Sequence, residues 1–244
     1  MTQEELTMIV PTSQGDIKIY IPGSRDVIVK MSGGADSSIL MFLLAKYRQE
    51  YNPNINFKIV STVATLKPYQ FIFAKQVVEF IDNIYSLGDY EHHSNECFPV
   101  SGITDGPDEN GVDRNADAYG RAIAEIAEKM QNNTAVQWMG ITANPSVTDR
   151  SHSLNAGRDT ARDKDVAVPV SQYYMEPDVF KSNRPFADKD KKVVAELYNK
   201  YNLTNTLFPL TRSCESFEFN ETFSEHCGEC WWCKERKWAF GKLA

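Results

Sequence analysis

Apolar and polar residues alternate in Ile17-Lys-Ile-Tyr-Ile21, and a β-rich stretch at 7–10 faces it across Pro-Thr-Ser-Gln-Gly-Asp, which predicts a hairpin. Val27-Ile-Val29 is continuously hydrophobic and residues 57–63 are β-rich and hydrophobic, the pattern of strands buried in a parallel sheet. Between them, 37–51 reads as a helix stopped by Asn52-Pro53. Phe73, Val77, Phe80 and Ile81 recur at helical spacing over 70–84. A second half repeats the alternation. A polar loop at 101–113 precedes a helix over 116–130, striped by Ala118, Ile123, Ile126, Ala127 and Met130, and then a strand over 135–141. A helix over 188–201 with Asp188 as N-cap follows. Strands alternating with helices predict an α/β fold with a doubly wound parallel sheet, whose ligands sit at the carboxyl ends of the strands. The reading divides the chain into a hairpin extension at 1–26, an α/β domain at 27–182 and a helical, cysteine-bearing region at 183–244.

One stretch resists the pattern. Residues 144–165 interleave Ser, Thr, Asn, Arg and Asp with almost no apolar period, and a loop of that length inside a compact domain is usually functional or disordered.

Composition narrows the class. A chain of 244 residues, 42% hydrophobic, can bury a sizeable core. No apolar run reaches the roughly eighteen residues of a membrane helix, and Met1-Thr-Gln-Glu-Glu-Leu is unlike a signal peptide, which predicts a cytoplasmic protein. A net charge of −7 argues against a broad nucleic-acid footprint.

The first chemical signal is Ser32-Gly-Gly-Ala-Asp-Ser37, lying between a predicted strand and a predicted helix. Adjacent glycines let successive N–H groups point inward at an anion, and the helix adds its positive end. The loop lacks the lysine of G-x-x-x-x-G-K-[ST] and does not read G-x-G-x-x-G. Asp36 suits either a Mg²⁺ ligand or a helix cap.

The second signal is Cys214 with Cys227-Gly-Glu-Cys230-Trp-Trp-Cys233, four of five cysteines in one tail segment. The spacing forms a knuckle suited to tetrahedral Zn²⁺, and an iron–sulfur cluster uses the same four thiolates. All four being spent on ligation, a zinc ion there would organise the fold rather than activate water. Trp231 and Trp232 can stack on a base or cover the metal, and His226 stands beside the ligands. Cys97 reads as a small buried residue and His92-His93 as exposed.

With both ends read, the chain resembles the 7-cyano-7-deazaguanine synthase branch of the ATP pyrophosphatases. Beyond the loop and the cysteines, Arg114-Asn115, Arg184-Pro-Phe186 with Asp188-Lys189, Thr211-Arg-Ser-Cys214 and the tail through Arg236 fall in the family's order. The resemblance implies an adenine-nucleotide alpha-hydrolase-like Rossmann variant that binds ATP and Mg²⁺ and carries structural Zn²⁺ on Cys214, Cys227, Cys230 and Cys233. It further implies ATP held by Ser32, Gly33, Gly34, Ala35, Asp36, Ser37 and Ser38. Asp36, Ser32, Ser37 and Lys189 would be catalytic, and Arg114, Asn115, Arg158 and Arg162 would bind substrate. The implied reaction adenylates a deazapurine carboxylate with release of pyrophosphate, then aminates it with ammonia; the family also suggests a homodimer. The hairpin is additional, and the family's basic, glutamine-containing segment after Thr62-Val63 and its Tyr-Pro-Asp-Cys-Arg pattern are missing, departures that bear on the acceptor. Two other classes share the loop: sulfur-transfer enzymes such as phosphoadenylylsulfate reductases or tRNA thiolases, and non-catalytic nucleotide binders.

Overall fold

The computed structural model describes residues 6–21, 23, 25–64, 70–97, 136–150, 162, 183–214 and 225–244. Four parallel strands form its main sheet: β3 (Arg25–Lys30), β4 (Ile55–Ala64), β5 (Glu91–Cys97) and β6 (Val136–Met139), ordered β5-β4-β3-β6. Val27 of β3 pairs with Phe57 on one side and Val136 on the other. Val27, Ile28 and Val29 are accordingly buried, as a central parallel strand requires. The order runs outward from β3 through β4 to β5 and then reverses to β6. That reversal makes the β3–β6 seam a switch point, where the loops leaving the two strands diverge and a crevice opens.

Helix α1 (Ala35–Glu50) follows β3 directly and is buried on nearly every side, with Ile39 to Ala45 all inside. Seven consecutive apolar residues therefore mark a helix covered all round rather than an amphipathic one. It packs against α2 (Gln70–Tyr85) and α3 (Lys191–Lys200). Tyr198 of α3, fully buried, donates to the Ala35 carbonyl at 3.1 Å and fixes the start of α1. A last helix, α4 (Trp231–Phe240), closes the chain against α3.

The hairpin pairs β1 (Met8–Val10) with β2 (Ile17–Ile19), and Met8, Val10, Ile17, Ile19 and Ile21 enter the same core as the sheet. Tyr47 and Asn52 at the end of α1 tie it down: Ile21 donates to the Tyr47 hydroxyl at 3.0 Å, and Asn52 donates to Ile21 and Gly23 carbonyls. Its turn reaches α3, where Ser13 donates to Glu196 and Gln14 accepts from the Asp190 amide.

Several expectations shift. The third helix begins at Lys191, not 188, with Asp190 as its N-cap accepting from Lys192, because Phe186 and Ala187 are held in a turn before it. The polar Glu91-His-His-Ser-Asn-Glu-Cys97 forms a strand that periodicity did not reveal. His92 is not exposed: its ring hydrogen-bonds the Ser61 hydroxyl at 2.8 Å and packs on Phe71. Burial, reinforced by His93 and Lys75, lowers its pKa to about 4. The predicted helix at 116–130, the loop at 101–113, the Cys97 side chain and most of 144–165 lie outside the described residues. No described helix is long and apolar enough to cross a membrane.

Candidate functional site

Two loops leave the switch point, one after β3 and one after β6, and they border a cleft of about 190 Å³. Ser32, Gly34, Ala35 and Asp36 line one side, Gly140, Ile141 and Thr142 another, and Arg162, Lys191, Arg212, Ser213, Cys214, Trp232 and Gln70 complete it. The predicted phosphate loop and one predicted metal ligand, Cys214, thus share a wall.

The loop's turn depends on Gly33. Gly33 has φ +72, and a Cβ there would stand 2.7 Å from that of Phe73. Its carbonyl accepts from the Arg212 amide at 2.7 Å, which ties the loop to the segment carrying Cys214. Ser32 Oγ accepts from the Gly34 amide at 3.3 Å and lies 3.2 Å from Ser37 Oγ. Ser37 and Ser38 are buried and donate to the Gly34 carbonyl, so these hydroxyls brace the turn and do not line the cleft. Gly34 is the N-cap of α1, and no side chain caps it.

Asp36 is not that cap. Its Oδ2 accepts from Thr142 Oγ1 at 3.3 Å and stands 3.4 Å from Lys191 Nζ, while Oδ1 is buried with no hydrogen-bond partner among the described residues. Behind Lys191 is Glu235, fully buried on α4, with Oε2 2.8 Å from Lys191 Nζ and Oε1 2.5 Å from Arg162 Nη2. Burial alone would raise the Glu235 pKa; Lys191 and Arg162 outweigh it and hold the carboxyl below its ordinary value. Arg162 also donates to the Thr142 and Ala143 carbonyls and to Thr142 Oγ1. Its guanidinium and the Lys191 ammonium both lie over Trp232.

The four predicted cysteines converge, with all sulfurs within 4.8 Å of one another. Gly228, at φ +77, makes the knuckle's turn, and amides of Cys227 and Cys230 donate to Cys214 Sγ and Cys227 Sγ. His226 Nδ1 lies 3.7 Å from Cys233 Sγ, and burial, with Arg236 and Arg212 nearby, lowers its pKa to about 3. Cys233, Glu235 and Arg236 occupy one turn of α4, so the knuckle and the cleft are built on the same helix. Arg236 donates to Ser213 Oγ at 3.2 Å and to the Phe208 carbonyl at 3.0 Å.

Of the other expected site residues, Arg162 is buried within the ion cluster instead of on a polar surface loop. Lys189 is buried with Nζ 2.8 Å from Asp188 and does not line the cleft; Lys191, two residues on, does. Arg114, Asn115 and Arg158 lie outside the described residues. Lys191, Arg212 and Glu235 were missed. The helix starts at Lys191, so Lys189 lies in the turn before it rather than in its first helical turn.

No family model matches the sequence, and no curated protein matches it. Among solved structures the chain is similar to a U34-tRNA thiolase, NcsA from Methanococcus maripaludis with its 4Fe–4S cluster, at TM-score 0.48 and 14% identity over 90% of this chain and 72% of that one. It is also similar to a 4-thiouridine synthetase–RNA complex with bound ATP, at TM-score 0.44 and 14% identity over 86% of this chain. It covers 52% of that second chain.

Proposed function

We propose that this chain is an ATP-dependent adenylating enzyme of the ATP pyrophosphatase type. The observation that carries the reading is the glycine loop at the sheet's switch point, which opens α1 beside Asp36, Lys191 and Arg212. ATP phosphates would lie against loop 32–36 and the first turn of α1, with Lys191 and Arg212 as cations facing them. Asp36 would hold Mg²⁺, for which its buried, unpartnered Oδ1 is suited, while the phosphates supply further oxygens. The ion neutralises charge on the departing group when bound.

In the reaction an acceptor oxygen attacks the α-phosphorus, the bond from that phosphorus to the α–β bridging oxygen breaks, and pyrophosphate leaves. The acceptor now carries AMP, a good leaving group. The chain's own contribution is to hold the phosphates in line and place donors where charge develops. Ser32 and the amides at the start of α1 do this from one side, Lys191 and Arg212 from the other.

For the acceptor we favour a carboxylate that ammonia then aminates, as the resemblance to 7-cyano-7-deazaguanine synthases implies. Thiolates about 2.3 Å from one zinc ion form a tetrahedron with edges of about 3.8 Å, and Cys227 and Cys233 sulfurs are 3.8 Å apart. That spacing favours one Zn²⁺ over a cluster, whose thiolates each bind a different iron. Sulfur transfer to an RNA base is a second reading, and it rests on Cys214 reaching the cleft wall, not on the two structural likenesses. The purified protein, given Mg²⁺–ATP, separates the two. AMP formed only with ammonia and a deazapurine carboxylate supports amination; AMP formed only with tRNA and a sulfide donor supports thiolation. No AMP with either acceptor would remove both.

A further inference from the structure

We infer that Glu235 is a positioning residue of the cleft: from behind its wall it holds Lys191 with one carboxylate oxygen and Arg162 with the other, fixing the Lys191 ammonium beside Asp36. The inference rests on the adenylation reading for its kinetic consequence and on geometry alone for the rest.

Glu235 is fully buried and does not line the cleft, so it touches no ligand there. A buried carboxylate is costly unless paired, and replacing such pairs with apolar residues is often neutral or stabilising. Burial of Glu235 therefore calls for a reason beyond stability. Its two oxygens divide between two cations: Oε2 forms an ion pair with Lys191 at 2.8 Å, and Oε1 accepts a hydrogen bond from Arg162 at 2.5 Å. Arg162 is locked in turn by the carbonyls of Thr142 and Ala143, at 2.9 and 3.1 Å. A rigid guanidinium thus fixes the carboxylate, and the carboxylate fixes a flexible four-carbon ammonium stem.

Without that hold, the contacts left to Lys191 among the described residues are Asp36, at 3.4 Å, and the face of Trp232. Asp36 is the carboxylate that Mg²⁺ would take, so on ATP binding Lys191 would exchange that anion for the phosphates it faces, and the contact from behind the cleft wall is what keeps its ammonium aimed at them through the exchange. With Glu235 in place, Lys191 can release Asp36 to the ion and stay in the cleft. Glu235 also follows Cys233 by two residues on α4, so its placement depends on the knuckle being formed.

The test uses the full, metal-loaded chain and the variants Glu235→Gln and Glu235→Asp. In each, lysines are acylated with acetic anhydride and the modified peptides identified by mass spectrometry. Lys191 labelling rises about tenfold in Glu235→Gln, as expected for a side chain released from a local restraint, and returns toward the parent rate in Glu235→Asp. Lys189, equally buried but paired with Asp188, is the control: a rise at both lysines in Glu235→Gln marks general unfolding, and the judgement then rests on Glu235→Asp alone. There, Lys191 labelled within about twofold of the parent sustains the proposal, and Lys191 labelled as freely as Lys192 overturns it. Unchanged Lys191 labelling in a folded Glu235→Gln also overturns it. AMP formation adds the kinetic readout: kcat falls by about a hundredfold in Glu235→Gln with a smaller change in KM for ATP, because a misplaced group costs most in the transition state. An inactive parent enzyme would count against adenylation and leave the labelling result to decide the role of Glu235.

Discussion

Gly140 packs against the backbone of Asp36 so closely that a Cβ on it would stand 2.5 Å from the Asp36 carbonyl oxygen. The end of β6 and the first turn of α1 are thereby in contact, and the cleft at the switch point has its depth because nothing larger than hydrogen intervenes. Gly140→Ala should push the two apart. We expect a loss of about 1–3 kcal/mol in stability, read by thermal melting, together with weakened binding of α,β-methylene ATP by calorimetry. Parent-like affinity would show that the cleft tolerates the displacement.

Asp36→Asn keeps the side chain's size and its acceptor toward Thr142 but removes the charge opposite Lys191. AMP formation should fall by about a hundredfold, the usual worth of a single contact at a developing oxyanion or metal. The melting temperature should change little. A variant with full turnover would take the carboxylate out of the mechanism.

Metal removal should reach the cleft, because Cys233, Glu235 and Arg236 share a turn of α4 and Cys214 adjoins Ser213. Elemental analysis is expected to give about one Zn²⁺ per chain, and Cys230→Ala should lose both metal and soluble fold, since such sites contribute on the order of 10 kcal/mol to folding. Iron with visible absorption would instead support the sulfur-transfer reading.

His92 makes stability depend on pH. Its folded pKa of about 4 lies below the ordinary 6.5, so between these values the unfolded chain binds more protons and stability falls as pH falls. Going from pH 7 to pH 5, the parent should lose about 2 kcal/mol more than His92→Gln, measured by urea denaturation. Equal losses would show that the ring is protonated without cost.

The two terminal motifs were legible because their chemistry is local. Ser32-Gly-Gly-Ala-Asp-Ser37 and the cysteine spacing need only neighbouring residues to declare a cradle and a knuckle. Apolar runs in β3 and α1 and the β-rich, hydrophobic stretch of β4 likewise revealed these elements, which lie deep in the core. What the sequence hid depends on tertiary placement. β5 is polar along its length because, among the described strands, it lies at one end of the sheet. Glu235 sits in Lys234-Glu-Arg-Lys237, which reads as a solvated charge run, yet Glu235 and Arg236 are fully buried. Apart from the Leu243 carbonyl, seven residues on, which accepts from Arg236, the partners Arg162, Lys191, Phe208 and Ser213 are distant in sequence.

The products formed from ATP test the central claim most directly. ³¹P NMR of Mg²⁺–ATP incubated with the enzyme, ammonia and the carboxylate acceptor should show AMP and pyrophosphate growing together as the ATP signals decline. ADP and inorganic phosphate in their place would mean cleavage between the β and γ phosphates and would contradict the assignment of loop 32–37 to adenylation.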